Sequence, residues 1–264
     1  MSRIERGVAV ASLFTAMTTT AAPTITKIAE LTAPPLAEVS GIARSSYPDV
    51  YWVHNDSGDD ARIFAIDRSG ATIVPPYLAS QFVDKPWPGI AIRNAWNIDW
   101  EDITLDDGVL YIAEMGNNGN ARRDLGVYVV MEPNPRATAE IRALTYLAVV
   151  YPDQDAYPGG RWEFDCEAIF ADRGKLYFLT KHRKPGEITG WAAATSLYRL
   201  DTRYTDRQNT IFDRPKEGDD WLKGAPIVIP IDRELIPIAE ALTWRDESTL
   251  LIANEGRGLF ELKL

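Results

Sequence analysis

Four runs of the chain are apolar and rich in β-branched and aromatic residues: "VYWVHNDSG", "VLYIAEMGNNG", "KLYFLTKHR" and "TLLIANEGRG". Each ends in polar or glycine-bearing turn residues, the pattern of a strand bounded by a hairpin. A shorter segment of one type precedes each run: "EVSGIAR", "DWEDITL", "DCEAIFA" and "IAEALTW". A third strand follows each: "RIFAID", "LGVYVVMEP", "TSLYRLD" and "GLFELKL". Fourth strands are predicted at "IAIRNA" or "ATIVPPYL", at "ALTYLAVVYP" and at "PIVIPID". The last unit runs out after three strands, and "ITKIAEL" near the N-terminus is free to supply its fourth.

Repetition of a four-stranded unit, with the last unit completed by the first strand, predicts an all-β fold, a small β-propeller. Four blades are clear, closed by the N-terminal strand. The long stretch from Asp201 to Pro237, with "QNTIFDRP" inside it, leaves room for a degenerate fifth. A β-sandwich would use the same strands but would not put matched acids at matched strand starts. The shared column of the first segments holds Ser40, Glu101, Glu167 and Glu240. Two positions earlier stand Glu38, Asp99, Asp165 and Ile238.

Charge and composition narrow the function. A net charge of −10 over 264 residues argues against nucleic acid, which needs clustered Lys and Arg. Eight Trp and eleven Tyr favour sheet. Cys166 is the single cysteine, so neither an intramolecular disulfide nor a cysteine-rich metal site is available. The first 22 residues read as a secretory signal peptide: Arg3 and Arg6, the apolar "VAVASLFTAM", then small residues up to Ala21 and Ala22. That run is too short to span a bilayer. The expectation is a secreted or periplasmic protein, with residues 23–264 forming the propeller, without stable membrane insertion, and monomeric.

The acids carry the candidate chemistry. Like charges gathered in a channel are costly unless protonated, paired or bound to a cation. Glu38, Asp99, Glu101, Asp165, Glu167 and Glu240 are therefore the candidate metal ligands, and hard oxygen donors suit Ca²⁺. The competing reading is that these Glu side chains accept backbone N–H groups from neighbouring inner strands and lock the blades. A second ring stands at the ends of the apolar runs. Asn55, Asp56, Glu114, Asn117, Asn254 and Glu255 are its candidate residues for binding a small molecule or protein; turn chemistry alone also explains them. Lys181 and His182 occupy the same level in the third unit. His54, Asp56 and Ser57 do not form a catalytic relay, because neighbours on a strand point in alternating directions. "HRKPG" reads as a solvated basic turn, and Trp87 and Trp162 as loop residues.

"HNDSG", "DWEDI", "GNNGNAR", the "EP" after "VYVVM", "YPD" and the "EA" of "DCEAIF" together resemble an uncharacterised family of secreted bacterial β-propellers. The likeness spans nearly the whole chain after the leader. It implies fold and export and brings no activity. Members of that family carry one more blade between the segments matching "YRLDT" and "FDRP", where this chain is shorter. Likeness to propellers of the SdiA-regulated type is looser. Two functions follow: an exported binding module with a cation in its channel, or a calcium-dependent hydrolase of the lactonase, arylesterase or phosphoesterase kind. The second would use Glu38, Asn55, Glu101, Glu167 and Glu240 around one metal, by analogy of fold alone.

Overall fold

The structure, a computed structural model, describes residues 22–200, 209–210, 229 and 231–264. Its strands form four small sheets in a ring, a four-bladed β-propeller. Strand β1 (Thr24–Glu30) is the outermost strand of the last blade. The first blade holds β2 (Val39–Arg44), β3 (Val50–Asn55), β4 (Arg62–Asp67) and β5 (Ile90–Ile92). The second holds β6 (Trp100–Asp106), β7 (Val109–Glu114) and β8 (Gly126–Met131). The short β9 (Glu140–Ile141) joins β5 in parallel, so the first blade borrows a strand from the chain that follows β8, before the second blade is complete. Strand β10 (Thr145–Val150) then completes the second blade.

The third blade is β11 (Trp162–Asp172), β12 (Lys175–Arg183) and β13 (Trp191–Leu200). Beyond it, β14 (Asn209–Thr210) lies parallel to β10. The fourth blade is β15 (Ala239–Asp246), β16 (Thr249–Asn254) and β17 (Gly258–Lys263). Strand β1 closes it antiparallel to β17, with Thr24 opposite Lys263 and Glu30 opposite Gly258. "ITKIAEL" thus supplies the missing strand. "IAIRNA" supplies β5, while "PPYL" of the other candidate opens a 3-10 helix, Pro76–Phe82, where prolines remove ladder donors. The stretch with "PIVIPID", where the sequence leaves room for a degenerate fifth blade, lies mostly outside the described residues. So does all but the end of the leader.

Every residue of β3, β7 and β16 is buried. Blades stacked face to face cover both sides of their middle strands, which explains apolar runs that do not alternate. Trp52, Phe64 and Trp100 fill one inter-blade core, and Tyr111, Phe164, Phe178 and Tyr198 another. Burying a Phe-sized side chain contributes roughly 1.5–3 kcal/mol. Trp87, expected in a surface loop, is 5% exposed and meets Phe82 edge-on with ring centroids 4.9 Å apart.

The inner strands run side by side, β15 next to β2, β2 next to β6 and β6 next to β11. Each carries a bulge near its start. The pairing register skips Ser40 between Val39 and Gly41, and Glu101 between Trp100 and Asp102. It skips Glu167 between Cys166 and Ala168, and Glu240 between Ala239 and Ala241. The sequence column is therefore the extra residue of a β-bulge in all four blades. A bulge leaves its residue outside the ladder and re-aims its side chain.

Candidate metal centre

Glu101, on the bulge of β6, is buried although it is a carboxylic acid. One carboxylate oxygen from each of Asp56, Asp99 and Glu101 lies within 4.8 Å of the other two. A second group under the same limit joins Glu101 to Asp165 and Glu167 of β11. Asp56 follows β3 and Asp99 precedes β6, so strand ends of three blades deliver five acids to one place. Ser40 takes a different part: its hydroxyl donates to the Glu101 carbonyl at 2.6 Å and ties the first blade to the second.

The two groups differ in how their charge is balanced. Asp165 is fully buried and accepts from Arg183 Nε at 2.5 Å and from the Asn117 N–H at 2.6 Å. Glu167 meets Lys181 Nζ at 3.1 Å and Arg183 Nη2 at 3.4 Å. Arg183 also donates to the Ile188 carbonyl and to Asn118 Oδ1. The basic turn expected to be solvated is thus the anchor of a buried ion-pair knot, because a long guanidinium folds back onto β11. Around Asp56, Asp99 and Glu101 the described residues place no Lys or Arg within ion-pair distance. Asp99 accepts from Asn118 Nδ2 at 3.3 Å. Gly116 packs directly on this group: a Cβ there would overlap Asp99 Oδ2 and Glu101 Oε1.

Electrostatics follow the geometry. Burial pushes Asp99 up to about 6, helped by the charges of Asp56 and Asp165. Burial, then the charges of Glu167 and Asp165, hold Glu101 well above the ordinary carboxylate range. Asp56 is raised by burial and by Glu38, against the Ser57 N–H. Glu167 reaches about 7 through burial and Asp165, with Lys181 opposing. A divalent cation among Asp56, Asp99 and Glu101 would relieve the repulsion; their hard oxygens suit Ca²⁺ or Mg²⁺ and offer nothing soft to zinc or copper.

The remaining predicted residues do not share this cluster. Glu38 is exposed and lies outside both groups, although its charge reaches Asp56. Glu240 is half-buried and raised by burial, and it too lies outside both groups. Of the carboxylates in the hydrolase set, only Glu101 and Glu167 come together. In the second ring, only Asp56 joins the acids. Asn55 donates to the Pro35 carbonyl at 2.6 Å and to Asp59 at 2.7 Å. Glu114 is buried, accepts the N–H groups of Ile98 and Asp99, and pairs with Arg122 at 2.8 Å. Asn117 bonds the Phe164 carbonyl and the Arg122 N–H. Asn254 accepts the Gly258 N–H at 2.7 Å, and Glu255 is exposed. The Asn55–Asp59, Asn117–Arg122 and Asn254–Gly258 bonds are turn chemistry, whereas the Asn117–Phe164 bond joins the second blade to the third.

Sequence reasoning missed Asp102. Buried, it accepts the N–H groups of Ile103 and Ile169, both at 2.8 Å, and so bonds the second blade to the third. The blade-locking role considered for the column Glu residues belongs to their neighbour. Its signal was the doubled acid of "WED" at a bulge.

No family model matches the chain, and no curated protein matches its sequence. Solved structures similar to it include a protein of unknown function from Bacteroides thetaiotaomicron VPI-5482. That likeness has 10% identity, covers 92% of this chain and 76% of the other, and has a TM-score of 0.37. The WD40 β-propeller domain of Doa1 is similar at 8% identity, with 85% and 78% covered and a TM-score of 0.31. BamB from Moraxella catarrhalis is similar at 9% identity, with 86% and 85% covered and a TM-score of 0.31. None of these likenesses bears on the chemistry of the channel; the fold rests on the four sheets themselves.

Proposed function

We propose that the protein is an exported β-propeller that binds a divalent cation, calcium first, through Asp56, Asp99 and Glu101, and serves as a ligand- or partner-binding module. The observation that carries this reading is the convergence of these three carboxylates beside Gly116, without a Lys or Arg of the described residues within ion-pair distance of them. Burying such charge is costly unless it is neutralised, and the second group shows how the chain does so where it uses Arg183. The leader-like first 22 residues and the motif resemblance support export, to the periplasm or beyond. The acidic balance supports the absence of a nucleic-acid partner. Among the described residues no helix is long and apolar enough to cross a membrane.

Calorimetry and melting of chelator-treated protein test this. A ligand that binds only the folded state adds about 2.7 kcal/mol at one hundred times its dissociation constant. Calcium should raise the melting temperature, and Asp99→Asn with Glu101→Gln should abolish the rise. Glu38→Gln should leave it intact. No heat and no thermal shift with wild type would end the reading.

A further inference from the structure

A cavity of about 860 Å³ opens between the third and fourth blades. Its size is that of a small-molecule site. Leu179 of β12, Trp191 of β13, and Ile236 and Ile238 before β15 give it apolar walls. Trp191 is 57% exposed, a large indole surface left uncovered. Four charged side chains also reach the cavity, and two of them, Glu167 and Lys181, already neutralise each other at 3.1 Å. The other two are Glu240, half-buried on its bulge, and Arg233, whose guanidinium carbon stands 5.1 Å from the Trp191 ring centre. Neither has an ion-pair partner among the described residues.

One acid and one base across apolar walls select by charge pattern. A simple anion meets Glu167 and Glu240; a simple cation meets Lys181 and Arg233. A ligand with both charges and an apolar middle satisfies all of them. We propose that this cavity binds a small zwitterion with an apolar body, a free α-amino acid or short peptide, its ammonium on Glu240 and its carboxylate on Arg233. The inference does not rest on the cation site, since neither residue belongs to the Asp56, Asp99 and Glu101 group.

The test is calorimetry on the full chain with the tripeptide Ala-Leu-Ala, its N-acetyl form and its C-terminal amide, each in calcium and in chelator. The free tripeptide should bind in both conditions. Each cap should weaken binding about tenfold or more, because a site built to pair a charge rejects the analogue lacking it. Glu240→Gln should erase the difference made by the acetyl group, and Arg233→Gln that made by the amide, with melting temperatures unchanged. Absence of binding by the free tripeptide, or equal affinity for all three forms on wild type, overturns the proposal. The cap comparison needs no variant, so it stands even where a substitution disturbs folding. Loss of calcium binding with tripeptide binding retained would sink the cation reading alone.

Discussion

Arg183 Nε donates to Asp165 Oδ2 at 2.5 Å, with side-chain exposures of 7% and 0%. A guanidinium this enclosed is held by four acceptors on three segments of chain, the side chains of Asp165, Glu167 and Asn118 and the Ile188 carbonyl. Removing one partner of such a pair leaves the other charge buried and uncompensated, a loss of about 3–5 kcal/mol. Arg183→Met should therefore destabilise by that amount in denaturant unfolding. Arg183→Met with Asp165→Asn should recover part of the loss. A single variant within about 0.5 kcal/mol of wild type, the range of an ordinary surface change, would show the knot to be solvated.

Gly116 allows the oxygens of Asp99 and Glu101 to approach its Cα directly. A methyl group at this position must push both carboxylates outward. Gly116→Ala is expected to weaken calcium binding about tenfold or more, since a binding constellation must be held within about 0.5 Å of its productive geometry. The comparison is the calcium-induced rise in melting temperature, measured from each protein's own chelated baseline. A rise equal to that of wild type would place the cation elsewhere.

How the stability of the chelated protein depends on pH follows from the raised acids. Asp99 lies at about 6, Glu167 at about 7 and Asp102 at about 8, each chiefly through burial. Unfolded, these groups titrate near 4, so above that the native state holds protons the unfolded chain has lost. Their contribution is full below about pH 4 and is lost as pH rises through the folded values. His54 acts oppositely, because burial lowers it to about 4 and its effect falls between about 4 and 6.5. The window from about pH 6.5 to about 8 belongs to the acids alone. Melting temperature in chelator should fall across it, and Asp102→Asn should remove the upper part of the fall. A flat or rising profile would contradict the enclosed, proton-holding acids.

The blades were legible because their middle strands are covered on both faces, which writes "VYWV", "VLYI" and "TLLI" as unbroken apolar runs. Closure was legible from a unit that lacked one strand and a spare strand at the other end. The site was only partly so. Column residues are equivalent in the ladder, each on a bulge, yet not in space. β15 runs beside β2, whose bulge holds Ser40 rather than an acid, so Glu240 meets no acidic bulge neighbour there and turns to the inter-blade cavity. Glu101 and Glu167 do meet, because β6 and β11 are adjacent. Arg183 was hidden for another reason. Where a long side chain reaches is set by the sheet it folds back upon, and "HRKPG" carries no trace of that.

The pairing of β1 with β17 gives the last prediction. Six residue pairs join the two strands, from Thr24 with Lys263 to Glu30 with Gly258. The contact goes beyond the ladder: Leu31 is 1% exposed and donates its N–H to the Arg257 carbonyl at 2.8 Å, and Ala33 and Leu36 continue into the core. Deleting residues 23–33 strips β17 of its partner and opens an unpaired edge, which other chains can extend. It also empties the place of Leu31, a core loss of about 2–5 kcal/mol by itself. Because β1 is the strand that ties the chain's start to its end, the cost should appear as lost cooperativity, not only a lower midpoint. The truncated chain should unfold over a broadened transition and associate on light scattering, while Ile28→Ser, at an exposed position of β1, should melt as wild type does. A truncated chain that melts sharply at the parental temperature would mean that the ring closes without its first strand.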